Sequence, residues 1–287
     1  MKIMDTNEQF SVIKVLNNNA VIVDDQGDEV ILIQKGIGFN VKVNDIISPP
    51  EIDKMYRLST VRDRQRYENL MQLSNESLNR VIIDAINYIQ THHNQQVDDR
   101  IILSLTDHII FALKRLEDGL TIRNPFSKEI ELLYSMEFKI AKTVIEKLNQ
   151  QLKVNFPDEE VGFITLHIHS AINHSTIGQM HQINEVIQKS IQIIEHDLQI
   201  EIDKDSLSYA RFVRHISFVV QRVQNNEGYE RSNHLENVLK QQYPLCYNIA
   251  VKIMKAIQTL LNKEVYASEL VYLTMHIQQF HMDSTSV

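Results

Sequence analysis

One cysteine, five prolines, seven glycines and no long apolar run are spread over 287 residues, and each scarcity excludes something. Cys246 alone cannot close an internal disulfide, so the chain suits a reducing, cytoplasmic setting. No stretch approaches the roughly 20 apolar residues that span a bilayer. No basic start runs into an apolar segment as a signal peptide does, so membrane insertion is not expected. With so few glycines and prolines, long stretches go unbroken, which favours helix. Basic residues are outnumbered, 29 Lys and Arg against 37 Asp and Glu. The net charge of −8 argues against a broad basic nucleic-acid surface but leaves room for a small, shape-reading one. The rest is ordinary for a globular chain, with 43% hydrophobic and 23% charged residues, and the length allows two or three domains with their own cores.

The first 47 residues have a texture of their own. FSVIKVL (10–16) is β-branched and partly alternating, and Asn17-Asn18-Asn19 supplies turn chemistry. AVIVDD (20–25), a hairpin turn at Gln26-Gly27-Asp28 and EVILI (29–33) follow. Lys35 to Phe39 makes a second tight turn before NVKVNDII. This predicts a small antiparallel sheet of about four strands, which Pro49-Pro50 ends because proline cannot donate to a ladder. A sheet of fewer than about 60 residues has a marginal core and is expected to dimerise. The charged stretch to residue 65 reads as a linker. Helical periodicity then predicts spans of about 66–92, 98–118, 126–151, 158–174, 180–199, 205–225, 233–261 and 266–282.

Along the helical region a single pattern occurs twice. LTDHIIFALKR (105–115) reads against FVRHISFVVQR (212–222), pairing His108 with His215 and Arg115 with Arg222. EVGFITLHI (160–168) reads against ELVYLTMHI (269–277), pairing Glu160 with Glu269 and His167 with His276. Tyr134 likewise matches Tyr243. A spacing of 107 to 109 residues is too long for a solenoid repeat and is the size of a duplicated globular domain, with a seam near 173–178.

Each of the four paired histidines has only apolar neighbours at positions −3, +1 and +4: Leu105, Ile109 and Ala112 for His108, and Ile164, Ile168 and Ala171 for His167. Phe212, Ile216 and Val219 flank His215, and Leu273, Ile277 and Phe280 flank His276. They therefore sit in or beside a packed stripe, where imidazole is a poor choice for packing alone. A satisfied core histidine is the plain alternative. His167-x-His169 cannot grip one metal ion, since i and i+2 on a helix diverge by about 200°. No CxxC, HExxH or Gly-x-Ser-x-Gly pattern accompanies them. The chemistry left is reversible phosphorylation, because a neutral imidazole is nucleophilic near pH 7. A phosphoryl group would add up to about two negative charges at an apolar seam. Arg115 and Arg222 lie two turns after their histidines and read equally as phosphate-steering groups or as solvated surface arginines.

KVLNNNAV (14–21), KGIGF (35–39), SLTDHIIFALKR (104–115), NPF (124–126), EVGFITLHIHSA (160–171), YARFVRHISF (209–218) and QYPLCYNIA (242–250) together resemble the sugar-operon transcriptional antiterminators, in particular the glucose-specific type. The resemblance implies a multidomain fold: a small all-β co-antiterminator RNA-binding domain (1–58), a linker (59–65) and two all-α phosphotransferase regulation domains (66–175 and 176–287). It implies a non-enzyme, without cofactor or metal, that binds as a homodimer to an mRNA hairpin overlapping a terminator. The family's phospho-accepting positions match His108 and His167 in the first regulation domain and His215 and His276 in the second. The implied donors are the glucose permease component (EII) for the first, whose phosphorylation inactivates, and the phosphocarrier protein HPr for the second. The implied RNA contacts match Lys14, Asn17, Asn19, Lys35, Gly36 and Phe39, although the asparagines also suit a plain turn and Phe39 a core position. Gln34 departs from the family's usual glycine. Residues 1–56 hold five lysines and nine acids, so a modest salt slope is expected. A DNA-binding regulator built on the same helical modules is the alternative, and it would need a helix-turn-helix near the N-terminus.

Overall fold

The computed structural model describes residues 9–34, 36–48, 54–57, 60–73, 75–227 and 234–285. Strands β1 (Phe10–Asn17), β2 (Ala20–Asp25), β3 (Asp28–Ile33), β4 (Ile46–Ile47) and β5 (Lys54–Arg57) form an antiparallel sheet in the order β4-β1-β2-β3-β5. The β2–β3 hairpin has Gln26 at φ 56° and Gly27 at φ 96°, the left-handed turn that matches strand twist. Gly27 N donates to Asp24 Oδ1 at 2.7 Å. Period-two alternation splits the strands between two cores. Val21, Val23, Val30 and Leu32 pack with Phe10, Val12 and Ile37, whereas Ala20, Ile22, Ile31 and Ile33 join Tyr56 and the first helices.

Two details differ from the sequence expectation. The fourth strand shrinks to Ile46–Ile47, and a fifth, Lys54–Arg57, pairs with β3 from within the stretch read as linker. Its charge disguises it: Arg57 is ion-paired to Asp25 and, at 3.3 Å, to Asp28 across the sheet edge.

The helices are α1 (Val61–Leu73), α2 (Glu76–His92), α3 (Ile101–Glu117), α4 (Ser127–Leu133), α5 (Ser135–Leu152), α6 (Glu159–Asn173), α7 (Ile177–Leu198), α8 (Leu207–Gln224), α9 (His234–Gln242), α10 (Pro244–Leu261) and α11 (Glu269–Thr285). None of the described helices is long and apolar enough to cross a membrane. The helix expected over 66–92 is split, because Asn75 accepts from Leu78 N at 2.8 Å and caps a new start. The helices expected over 126–151 and 233–261 each break at the tyrosine that the repeat had matched. Tyr134 (φ −125°, ψ 47°) and Tyr243 (φ −131°, ψ 58°) hold the same non-helical geometry. Thr176 opens α7 with a capping box to Gln179.

The chain divides into two compact units, residues 1–125 with 136–175, and 126–135 with 176–287. The first unit holds the sheet and α1, α2, α3, α5 and α6, and the second holds α4 and α7 to α11. In sequence α4 belongs to the first copy. It packs in the second unit because the Tyr209 hydroxyl donates to the buried Glu129 carboxylate, Lys204 lies 3.5 Å from Glu129, and Leu132 and Leu133 meet the second core. Lys128 adds an ion pair to Asp205 at 2.5 Å.

Candidate functional site

In the first unit α3 and α6 pack face to face and bring His108 and His167 together, with ring centroids 4.9 Å apart. Helical spacing puts Arg115 two turns beyond His108 on α3, while Glu160 stands in the first turn of α6. The three converge: His108 Nε2 lies 2.9 Å from Glu160 Oε2, and Arg115 Nη2 donates to Glu160 Oε1 at 2.6 Å. Side-chain exposure is 13% for His108, 3% for Glu160 and 16% for Arg115. Burial pushes the Glu160 carboxyl up, but the hydrogen bond and charge of His108, together with Arg115, outweigh it and hold the group below the ordinary carboxylate range. His167 is lowered to about 3, by burial first and then by His108, so its imidazole is neutral.

The second unit repeats the arrangement. His215 and His276 lie 5.0 Å apart on α8 and α11, and Arg222 donates to Glu269 Oε1 through Nη2 at 2.8 Å and Nε at 3.2 Å. His215 Nε2 stands 3.6 Å from Glu269 Oε2, and both atoms are buried without a partner. Burial, then His276 and Arg222, lowers His215 to about 3. Burial and Arg211 lower His276. The sequence paired Glu160 with Glu269 and assigned neither a role. Glu160 ties His108 to Arg115, and Glu269 holds Arg222 while standing beside His215 without bonding it. Arg115 and Arg222, read in the sequence as phosphate-steering or as solvated arginines, are each ion-paired to a glutamate, with 16% and 32% of the side chain exposed.

His169, outside the pattern in sequence, is 2.9 Å from Glu137 Oε1. Its counterpart in the second unit is the neutral Gln278, which accepts from Cys246 Sγ at 3.2 Å. Among the described residues no three His, Cys, Asp or Glu are grouped to hold a metal ion.

At the sheet, the β1–β2 turn and the loop after β3 dock on one another. Asn19 Oδ1 accepts from Gly36 N at 2.8 Å, Gln34 N donates to Asn19 O at 3.0 Å, and Gly38 N donates to Asn18 O at 3.0 Å. Gly36 has φ 77° with open space where a Cβ would stand, so the left-handed backbone is what requires glycine. Asn17 ends β1 opposite Ala20. Phe39 is 65% exposed, which removes the core-packing alternative. Lys14 Nζ pairs with Glu68 Oε2 of α1 at 2.6 Å. Gln34 turns inward, with its Oε1 buried and unpaired. The expectation for Lys35 lies outside the described residues.

The described residues thus combine a turn-rich sheet edge with two helical units that each carry a histidine pair. The PRD domain family matches residues 83–171 and 188–280, and the CAT RNA binding domain family matches residues 10–65. The chain belongs to this family, in which a CAT RNA binding domain precedes two PRD domains. Protein GlcT of Staphylococcus saprophyticus is 46% identical over 94% of this chain and 97% of that protein. The GlcA/glcB genes antiterminator of Staphylococcus carnosus is 43% identical over 94% of this chain and 96% of that protein. A crystal structure of GlcT CAT-PRDI is 40% identical, covers 57% of this chain and 99% of that chain, and superposes with a TM-score of 0.53.

Proposed function

We propose that this protein is a transcriptional antiterminator that binds a hairpin in nascent mRNA and prevents an overlapping terminator from folding. It acts as a homodimer in the cytoplasm and is controlled by the sugar phosphotransferase system, with glucose as the sugar. His108 and His167 accept phosphate from the glucose permease component and thereby inactivate the protein. His215 and His276 accept it from the phosphocarrier protein HPr. Lys14, Asn17, Asn19, Lys35, Gly36 and Phe39 form the RNA contact.

The observation that carries this reading is the duplicated pair of half-buried histidines, one ring of each pair facing a glutamate–arginine couple, in a chain headed by a CAT RNA binding domain. A relative's name supplies antitermination, and the sequence resemblance to the glucose-specific type supplies glucose. The DNA-binding alternative needs a helix-turn-helix near the N-terminus, and the described residues up to 57 form strands and turns.

The test is binding of the full chain to a labelled antiterminator hairpin, before and after phosphorylation. Tight binding that phosphate on the first histidine pair abolishes is the expected result. Equal binding by both forms would refute the control mechanism. Phe39 offers an exposed ring on which an unpaired base can stack, so Phe39→Ala is expected to weaken binding by about 1–3 kcal/mol while the melting temperature stays unchanged. An unaltered Kd would remove Phe39 from the interface. Glu68 competes with phosphate for Lys14, but the pair is solvent-screened. Glu68→Gln is therefore expected to tighten binding only a few-fold, and filter binding should show the gain shrinking in high salt.

A further inference from the structure

We propose that Glu160 is a positioning residue that makes Nδ1, rather than Nε2, the phosphoryl-accepting atom of His108, and that Glu269 does the same for His215. The inference rests on the reading of these histidines as phosphoryl acceptors and adds which atom takes the phosphate. Glu160 receives a hydrogen bond from Arg115 and faces His108 Nε2 at 2.9 Å. An ionised carboxylate only accepts, so His108 Nε2 must carry the proton that it donates. In a neutral imidazole the lone pair then resides on Nδ1. Among the described residues that atom has no hydrogen-bond partner, and it is not sealed from solvent.

The second unit has the same orientation. His215 Nε2 faces Glu269 Oε2 at 3.6 Å, too far for a hydrogen bond, and both atoms are buried, so Nε2 is closed to a donor. His167 is the reverse case. Its Nδ1 is sealed in the core without a partner, which leaves Nε2 as the atom that a donor can reach. The first pair should therefore carry two different phosphohistidine isomers on neighbouring rings.

The step balances without an added reactant beyond a protein phosphohistidine as donor. The Nδ1 lone pair of His108 attacks the donor's phosphorus, forming a new N–P bond as the old one breaks. The bonding pair returns to the donor's ring nitrogen. The accepting ring becomes cationic with its proton still on Nε2, and the Glu160 carboxylate stabilises that charge as it develops. Attack through Nε2 would instead break the hydrogen bond and press a dianion against Glu160.

The experiment uses the full chain labelled with 15N-histidine and phosphoramidate as a small phosphoryl donor. Two-bond 1H–15N correlations distinguish the isomers, and His108→Gln assigns the signals. Phosphate on Nδ1 of His108 is expected, with Glu160→Gln slowing its formation about tenfold or more and Glu160→Asp restoring the isomer. Should Glu160→Gln fail to fold, Glu269→Gln read at His215 gives the same comparison. Phosphate on Nε2 of His108 would overturn the inference while leaving the phosphorylation reading intact. An unchanged rate and isomer in Glu160→Gln would overturn the positioning role. Failure of His108 to accept phosphate from either phosphoramidate or a protein phosphohistidine would overturn the underlying reading itself.

Discussion

Lowering the pH from 7 to 5 is expected to destabilise the folded protein by about 4 kcal/mol, about 2 from each helical unit. His167 and His215 are both held neutral, with pKa values lowered from 6.5 to about 3, chiefly by burial. In the unfolded chain each imidazole takes up a proton as the pH falls through 6.5, whereas the folded protein takes it up only near 3. Between these values the unfolded state binds more protons, so stability falls with pH by about 1.4 kcal/mol per unit for each histidine. His276, lowered by burial, acts with the same sign. The carboxylates enter lower down. Glu160 and Glu137 are depressed below 4.5, so the stability that they contribute is present above that value and lost below it. The window from 6.5 to 5 therefore reports imidazoles alone. Urea unfolding at the two pH values measures the loss, and His167→Gln and His215→Gln should each flatten the profile by their own share. A level profile in the unmodified protein would mean that the histidines accept protons in place, which would undo the account of a neutral, nucleophilic pair.

That account was half legible in the sequence, and the missing half has a physical cause. The duplication, the four histidines and the β2–β3 hairpin follow from local pattern: helical spacing puts His108 in an apolar stripe whatever α3 packs on, and Gly27 beside Gln26 specifies its turn. What spacing cannot reveal is the partner across the core. Glu160 lies 52 residues from His108 and 45 from Arg115, and its place in the first turn of α6 already explains an acidic residue through the helix dipole. The signal available was its match to Glu269, since a helix-start acid need not recur at the same position, whereas a ligand for a buried arginine must. β5 was hidden for a related reason. Lys54 and Arg57 make the segment look like linker until Asp25 and Asp28 across the edge supply counter-charges to Arg57. The place of α4 rests on Tyr209 and Glu129, 80 residues apart, and no periodicity encodes a pairing between copies.

The glutamates also make a stability difference between the two units that a single substitution exposes. Removing the Glu160 side chain by Glu160→Ala leaves the Arg115 guanidinium, 16% exposed, without its counter-charge, and takes the acceptor from His108. Breaking a buried pair from one side costs about 3–5 kcal/mol, because an uncompensated charge stays in a poorly solvated place. Replacing both partners, Arg115→Met with Glu160→Met, should recover most of that loss, since the attraction of a buried pair barely exceeds the desolvation of its members. Arg222 is 32% exposed, twice as open as Arg115, so water can take over some of its solvation and Glu269→Ala should cost distinctly less than Glu160→Ala. Urea unfolding of these variants at pH 7 makes the comparison. A cost below about 1 kcal/mol for Glu160→Ala would mean that Arg115 finds water or another acceptor, and that the glutamate is not what holds the histidine and arginine in register. A large cost that the double variant leaves unrelieved would assign the loss to packing around α6 instead of to charge.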